Sequence, residues 1–355
     1  MKSVGIVGVS GYAGGELVRL LARHPHVQVT CAVSGTYAGQ PLSRAFPGLS
    51  GTEVGAITCR KLDGVRTGLE ADVVFLAQEN GAAMKVVGEL LEMGKRVIDL
   101  SADFRLRDVE AYEKWYHIEH QAAHILHERG VAYGLPELNR DYVVGARLVA
   151  NPGCYPTATI LGLAPLLSRG LVATSGIVVD AKSGVSGAGR AKSDLDYRYA
   201  EANESVKAYG VGGVHRHIPE IEQELSVHAA PGNVRIVFTP HLVPMTRGIL
   251  ATCYAPLAKA GTTTDDLLAA LHAAYDGSHF VVVRDANDPL PTTKDVYGSN
   301  FCHLTARVDT RTKTAVVVSV IDNLVKGAAG QAVQNMNLML GFPETAGLEG
   351  TGIWP

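Results

Sequence analysis

The 355-residue chain lacks the features that mark several large classes of protein. Its five cysteines, Cys31, Cys59, Cys154, Cys253 and Cys302, are widely spaced and form no CxxC pair. An odd, scattered set of thiols argues against a disulfide framework or a structural zinc site and points to a reducing, cytoplasmic location. No uninterrupted apolar run approaches the ~18 residues that span a bilayer. The opening MKSVGIVGVSGYAGG is broken early by glycines and no small-residue cleavage site follows, so it reads as a first strand and not as a signal peptide. No basic block or acidic tail occurs. With 35 acids against 32 bases the net charge is −3, which disfavours nucleic acid and anionic membranes as partners. Internal repeats and low-complexity tracts are also missing.

What remains is an ordinary soluble globular composition, 46% apolar with 39 glycines, long enough for about two domains. The first half alternates strand-like and helix-like segments: strands over 3–9, 27–33, 72–77 and 96–100, helices over 16–23 and about 82–93. That alternation predicts a parallel sheet covered on both faces. In the second half, strand candidates at 176–180, 234–239, 249–254, 280–283 and 314–321 predict an α+β domain with a mixed or antiparallel sheet. The expected fold class is therefore α/β: a Rossmann-like domain over 1–150, joined by a C-terminal helix from about 323–355, and a catalytic and oligomerisation domain over 151–322.

GIVGVSGYAGGELVRLL places Gly8, Gly11 and Gly14 between the first strand and the first helix. The spacing is GxxGxxG, but the strand-loop-helix context gives it meaning, because glycines permit a tight turn and let a pyrophosphate approach a helix N-terminus. Gly8, Ser10, Gly11, Tyr12, Ala13 and Gly14 are thus candidate cofactor contacts. The second strand ends CAVSGTYAGQ, with Ser34 and Thr36 where an NAD-preferring site carries a carboxylate. Hydroxyls there, with Arg44 nearby in sequence, favour NADP(H).

The stretch NPGCYPTATILGLAPLL sets Cys154 in a turn before a long apolar helix. A thiol at a helix N-terminus faces unpaired N–H groups that favour the thiolate. Cys154 reads either as a nucleophile or as a small buried hydrophobe. A reactive thiol beside a dinucleotide site would support one chemistry: thiolate attack on an activated acyl group, hydride transfer to the thioester, and release of an aldehyde. That route needs an acid/base, and GVGGVHRHIPEIEQEL offers His215 and His217 before a helix starting near Pro219. Metal binding by this pair is disfavoured, since only Glu220 could serve as a nearby third ligand. A second set, His117, His120, His124 and His127, has helical spacing and reads as the solvated side of an amphipathic helix.

Taken together, GVSGYAGGELVRLL, LSADFRL, YGLPELN, NPGCYPTA, SGVSGAGR, GVHRHIPEI, FTPHLVPMTRGI and DNLVKGAAGQAVQNMN run nearly end to end. In this ordered set the chain resembles the N-acetyl-γ-glutamyl-phosphate reductases of arginine biosynthesis, within the aspartate-semialdehyde dehydrogenase superfamily. The resemblance implies NADPH-dependent reduction of N-acetyl-glutamyl 5-phosphate to the 5-semialdehyde through a Cys154 thioester, by a homodimer or homotetramer. It implies His217 as acid/base with His215 as its alternative, and Arg105, Arg190 and Arg247 as candidates for the substrate's phosphate or carboxylate. A structural ion pair is the competing role for each arginine. It further implies cofactor contacts from Ser183, Gly184, Ser186, Gly187 and Asn323. One departure is FLAQENG, with Gln78, Glu79 and Asn80 where the family commonly reads FLALPHG, which bears on cofactor binding more than on the reaction. The rival readings are a lysine-pathway paralogue acting on a carrier-linked aminoadipyl phosphate, and a non-catalytic NADP sensor on the same scaffold.

Overall fold

The computed structural model describes residues 1–61, 70–128, 130–229 and 232–353. The chain divides into two compact units. The first comprises Met1–Pro152 with Gly189–Ala191 and Ala328–Glu349; the rest of the described chain forms the second. Among the described residues no helix is long and apolar enough to cross a membrane.

In the first unit, β1 (Lys2–Val7), β2 (Val27–Val33), β3 (Val73–Leu76), β4 (Arg96–Asp99), β5 (Ala132–Tyr133) and β6 (Leu148–Ala150) form a sheet in the order β2-β1-β3-β4-β6-β5. Every pairing is parallel. β3 is buried along its whole length, as a strand covered on both faces must be, which is why VVFL reads as a continuous apolar run. The chain leaves β1 to one side for β2 and to the other for β3, so the topological switch lies at β1, and the glycine loop follows that strand directly.

The second unit's sheet contains β7 (Ile177–Ser183), β8 (Lys207–Ala208), β9 (Ile236–Leu242), β10 (Ile249–Pro256), β11 (Val281–Val283), β12 (Cys302–Asp309) and β13 (Thr314–Ile321), in the order β11-β12-β13-β10-β7-β9-β8. It is mixed. β7 pairs with β9 and β11 with β12 in parallel, while the other pairs are antiparallel. The parallel β7–β9 pair follows from the long connection between them, which carries the helix Ile218–His228 and so can cross over. β12 was not expected from the sequence, because polar residues interrupt CHLTARVD; tertiary pairing with β13 overrides that local signal.

The helix Cys154–Ser168 is buried on all sides from Tyr155 to Leu167. It packs on β10, β13 and the helix Ile218–His228, and Gly162 lets it close on β13, where an added Cβ would stand 3.1 Å from Val317. Pro165 inside it has no N–H for the carbonyl of Leu161, and the Tyr275 hydroxyl donates to that oxygen instead at 2.5 Å.

Several expected boundaries are corrected. The first helix spans Tyr12–Leu21, earlier than 16–23, with the extended Gly11 as its N-cap, so that Gly14 and Gly15 lie inside its first turn. The segment 82–93 is a short 3-10 turn, Ala83–Lys85, followed by the helix Val87–Glu92. After Asn323 the chain forms a π turn, Val325–Ala329, before the helix Gly330–Leu340, which ends at Gly341 in a left-handed cap. Residues 354 and 355 of the expected C-terminal segment lie outside the described residues.

The histidine stripe is also corrected. His117 ends the helix Val109–Tyr116 in a left-handed conformation (φ 55°), 118–122 is not helical, and a new helix begins at Ala123. His120 is buried, its Nε2 2.7 Å from the carbonyl oxygen of Asp103. A spacing of three, four and three does not make a shared face when a turn interrupts the helix.

Candidate active site

The loop after β1 is built for close approach. Gly8 has φ +82°, and an added Cβ would lie 2.3 Å from the carbonyl oxygen of Ala77; one on Gly14 would lie 2.5 Å from that of Val9. Protein packing therefore demands glycine at both positions. At Gly11 it does not: a Cβ would meet only Gly8 O, at an ordinary 3.5 Å. The helix that Gly11 caps carries no side-chain cap and no acidic residue in its first turn, leaving the N-terminus at Tyr12, Ala13 and Gly14 available to an anion. These features fit a dinucleotide pyrophosphate. At the end of β2, Ser34 is buried, its hydroxyl 2.9 Å from that of Ser10 and accepting Tyr37 N–H at 3.2 Å. Arg190 joins this group: its Nη1 donates to the carbonyls of Ser10 (3.2 Å) and Ala45 (3.1 Å).

The departing FLAQENG loop is tied down from below. Asn80 Oδ1 accepts Ala102 N–H at 3.0 Å, and the buried Asp103 accepts Gly81 N–H (2.7 Å), Met84 N–H (3.2 Å) and the Tyr112 hydroxyl (2.8 Å). Glu79 is exposed. Asp99, fully buried, accepts the N–H and hydroxyl of Ser101. Burial, with Asp103 as a second cause, pushes its carboxyl up to about 7. Three donors therefore converge on Asp103, while the buried Asp99 is biased towards its protonated form. Arg105 is buried and oriented by two carbonyls, Asn151 through Nε and Leu100 through Nη2, each at 2.8 Å.

In the second unit, Cys154 is the first residue of its helix, and the preceding Gly153 supplies no side-chain cap. The helix dipole and its open N–H groups therefore face the thiol. Cys154 is partly exposed, whereas the other four cysteines are buried. Two contacts fix its surroundings. Gly153 N–H donates to the fully buried carboxylate of Glu220 at 2.8 Å. Gly327, in the π turn, packs so closely that an added Cβ would lie 2.8 Å from Cys154 Cβ.

The two histidines have different environments. His215 is enclosed edge-on by Tyr155, Tyr209 and Phe238, with ring centroids 5.8, 5.5 and 5.0 Å away. Burial, reinforced by Arg216, holds its pKa down at about 4. Its Nδ1 accepts the backbone N–H of His217 at 3.2 Å, which needs a lone pair on Nδ1 and places the ring's single proton on Nε2. His217 lies 5.0 Å from His215 and 5.9 Å from Tyr155 between centroids, and, like His215, is half-buried. Burial pushes up the phenols of Tyr155 and Tyr209, whose hydroxyls are 2.9 Å apart, so both stay neutral.

The segment after β7 packs on the loop before β10. Gly184, Val185 and Ser186 donate to the carbonyls of Gly248, Met245 and Thr246. An added Cβ on Gly184 would lie 2.7 Å from Thr246 O. Asn323 clasps both strands of chain, accepting Gly248 N–H at 2.8 Å and donating to Ser186 Oγ at 3.0 Å, with Gly187 3.8 Å away by its would-be Cβ. Ser183 Oγ is 3.0 Å from Gly184 O. Arg247 stands 3.6 Å from the buried Asp322, so a structural ion pair is present there.

The family profiles "Semialdehyde dehydrogenase, NAD binding domain" and "Semialdehyde dehydrogenase, dimerisation domain" match residues 3–146 and 154–323. N-acetyl-gamma-glutamyl-phosphate reductases of Geobacter metallireducens and Geobacter sulfurreducens are each 53% identical over 356 residues, covering 100% of both chains. That of Desulforamulus reducens is 51% identical over the same span. The chain belongs to the N-acetyl-gamma-glutamyl-phosphate reductase family. In fold, this reductase chain is similar to aspartate semialdehyde dehydrogenase II of Vibrio cholerae complexed with ASA (TM-score 0.72, 16% identity, 96% and 98% of the two chains). It is also similar to the aspartate semialdehyde dehydrogenase of Candida albicans with NADP (TM-score 0.66, 18% identity, 96% and 98%).

Within the reductase's second unit, the structure groups His215 and His217 around Tyr155, the residue after Cys154, and gathers Ser183, Gly184, Ser186, Gly187 and Arg247 around Asn323. Glu220 and Tyr209 were not read from the sequence as parts of this group. Glu220 had a usable signal, since it lies three residues after His217 in HRHIPE, one helical turn on. Tyr209 had none.

Proposed function

We propose that the protein catalyses NADPH-dependent reduction of N-acetyl-L-glutamyl 5-phosphate to N-acetyl-L-glutamate 5-semialdehyde, with release of phosphate. The observation that carries this reading is Cys154, the one partly exposed cysteine, set at an uncapped helix N-terminus one residue before Tyr155, whose ring packs against both histidines, in a chain whose full-length relatives bear this reductase's name. The thiolate attacks the acyl carbon, the phosphate leaves with the bonding electron pair, and a thioester forms on Sγ. NADPH, when held by the glycine loop after β1, would supply the hydride that takes the thioester to a thiohemiacetal. His217 protonates the thiohemiacetal oxygen and later takes that proton back as the C–S bond breaks and the aldehyde departs. His215, neutral and singly protonated, sets the backbone of His217 and is not the group that titrates.

Gly8, Ser10, Gly11, Tyr12, Ala13, Gly14 and Ser34 form the pyrophosphate and ribose side of the cofactor site in this reading. Ser183, Gly184, Ser186, Gly187 and Asn323 serve the nicotinamide side; Asn323 would use the second hydrogen of its Nδ2. Arg105 and Arg247 are assigned to the substrate's anionic groups. The first unit acts as the dinucleotide-binding domain and the second as the catalytic and oligomerisation domain, in the cytoplasm. Support for a homodimer or homotetramer comes from the outward face of the second sheet. There Val237, Val178, Tyr254 and Val316 are cross-strand neighbours left partly or largely exposed, an apolar row that a second copy would cover.

The test is the reverse reaction: purified protein with N-acetylglutamate semialdehyde, phosphate and NADP⁺ or NAD⁺, followed by reduced-nicotinamide absorbance. Phosphate-dependent reduction of NADP⁺ that iodoacetamide abolishes is expected. Signal only with a one-carbon-longer or carrier-linked aldehyde would assign the protein to the lysine-pathway reaction; silence with every aldehyde would leave a sensor.

A further inference from the structure

Arg190 lies in SGVSGAGR, a motif in which it stood as a candidate for the substrate. The structure gives it other company. Gly189–Ala191 belongs to the first unit although the chain on either side belongs to the second. The guanidinium sits 5.0 Å from the Phe46 ring centroid and 6.0 Å from that of Tyr37, and its Nη1 holds the carbonyls of Ser10 and Ala45. It thus spans the glycine loop and the segment that follows β2, the place where a dinucleotide's adenosine ribose is recognised in this architecture.

Three further observations bear on what it does there. Ser34, the hydroxyl at the end of β2, is buried and already bonded to Ser10 and Tyr37, so it has little left to offer a phosphate. The stretch from Ser34 to Phe46 contains no carboxylate, and among the described residues Arg190 has no acidic partner and no protein acceptor on Nε or Nη2. Gly35 has open space around it, and Thr36 beside it is exposed. A planar fork with donors to spare, held in place by an aromatic ring and two carbonyls, is the arrangement that receives a phosphate monoester.

We propose that Arg190 binds the 2′-phosphate of NADP(H) and is the residue that selects NADP over NAD, anchoring the Gly189–Ala191 segment on the glycine loop when it does so. This rests on the dinucleotide reading above. It moves Arg190 from the substrate to the cofactor and leaves Arg105 and Arg247 as the substrate arginines.

The test is calorimetric titration of the full chain with NADP⁺, NAD⁺ and 2′,5′-ADP, without substrate or turnover. The wild type should bind NADP⁺ and 2′,5′-ADP well and NAD⁺ weakly. Arg190→Ala should lose about 10- to 100-fold in affinity for both 2′-phosphorylated ligands, the scale of charge-assisted hydrogen bonds, and keep its NAD⁺ affinity. Arg190→Lys should lie between the two, keeping charge without the fork. Equal losses for NADP⁺ and NAD⁺ would overturn the proposal in favour of a role in shaping the loop or stacking on adenine, and no loss for either would overturn it outright. In both cases wild-type NADP⁺ binding would leave the reductase reading standing. A wild type that binds neither dinucleotide would remove both.

Discussion

The carboxylate of Glu220 accepts the backbone N–H of Gly153 at 2.8 Å, so the helix that follows His217 holds the residue immediately before Cys154. The segments that carry the proposed acid/base and the proposed nucleophile are thereby coupled through a buried hydrogen bond. Glu220→Ala strands that N–H in the interior and should cost about 1–3 kcal/mol of stability. It should also lower kcat, because the start of the helix that begins at Cys154 is no longer fixed. Glu220→Gln keeps an acceptor and should preserve most of both. Urea melts and turnover of the two variants decide this; a glutamine variant as damaged as the alanine one would mean that the charge, not the acceptor, matters.

The two histidines should separate on substitution. His217→Asn removes the proposed acid/base and should lower kcat roughly 10²- to 10⁴-fold. His215→Asn places an oxygen close to where Nδ1 accepts the His217 N–H, and should cost far less and leave the pH–rate profile in place. Steady-state kinetics across pH 5–9 check both, and a reversed order would exchange the roles.

Stability should respond to pH in two opposed ways. Asp99, with its pKa raised to about 7, binds more protons folded than unfolded, so its contribution is complete below about pH 4 and is lost as pH rises through 7. His215, lowered to about 4, contributes fully above its unfolded value near 6.5 and loses that contribution as pH falls toward 4. Asp99→Asn removes the first effect only. Its stability should therefore climb more steeply than the wild type's between pH 5 and 7, by about 2 kcal/mol, as read from denaturant midpoints.

Tyr275 offers a prediction independent of chemistry. Its hydroxyl satisfies the Leu161 carbonyl that Pro165 leaves without a helical donor. Tyr275→Phe should destabilise by about 1–2 kcal/mol with kcat unchanged. In a Pro165→Ala background the helix regains its own N–H, and the same substitution should cost less. A double-mutant cycle measures the difference; a coupling of zero would mean that the carbonyl is served in another way.

Much was legible in the residues themselves. The β2 and β13 boundaries, the glycine loop between strand and helix, and Cys154 at the head of an apolar helix all follow from local rules: periodicity, turn chemistry and the φ demanded at Gly8. These are properties of neighbours along the chain, so sequence alone determined them. Segments whose partners lie far away were decided only by the tertiary structure. β12 exists because β13 pairs with it, and the histidine spacing failed because the backbone turns at His117. Glu220 reaches Gly153 across 67 positions, and Arg190 reaches Ser10 across 180. Spacing ties Glu220 to His217 one helical turn before it, but not to Gly153; burial and hydrogen-bond satisfaction, which only the folded chain imposes, select such distant meetings.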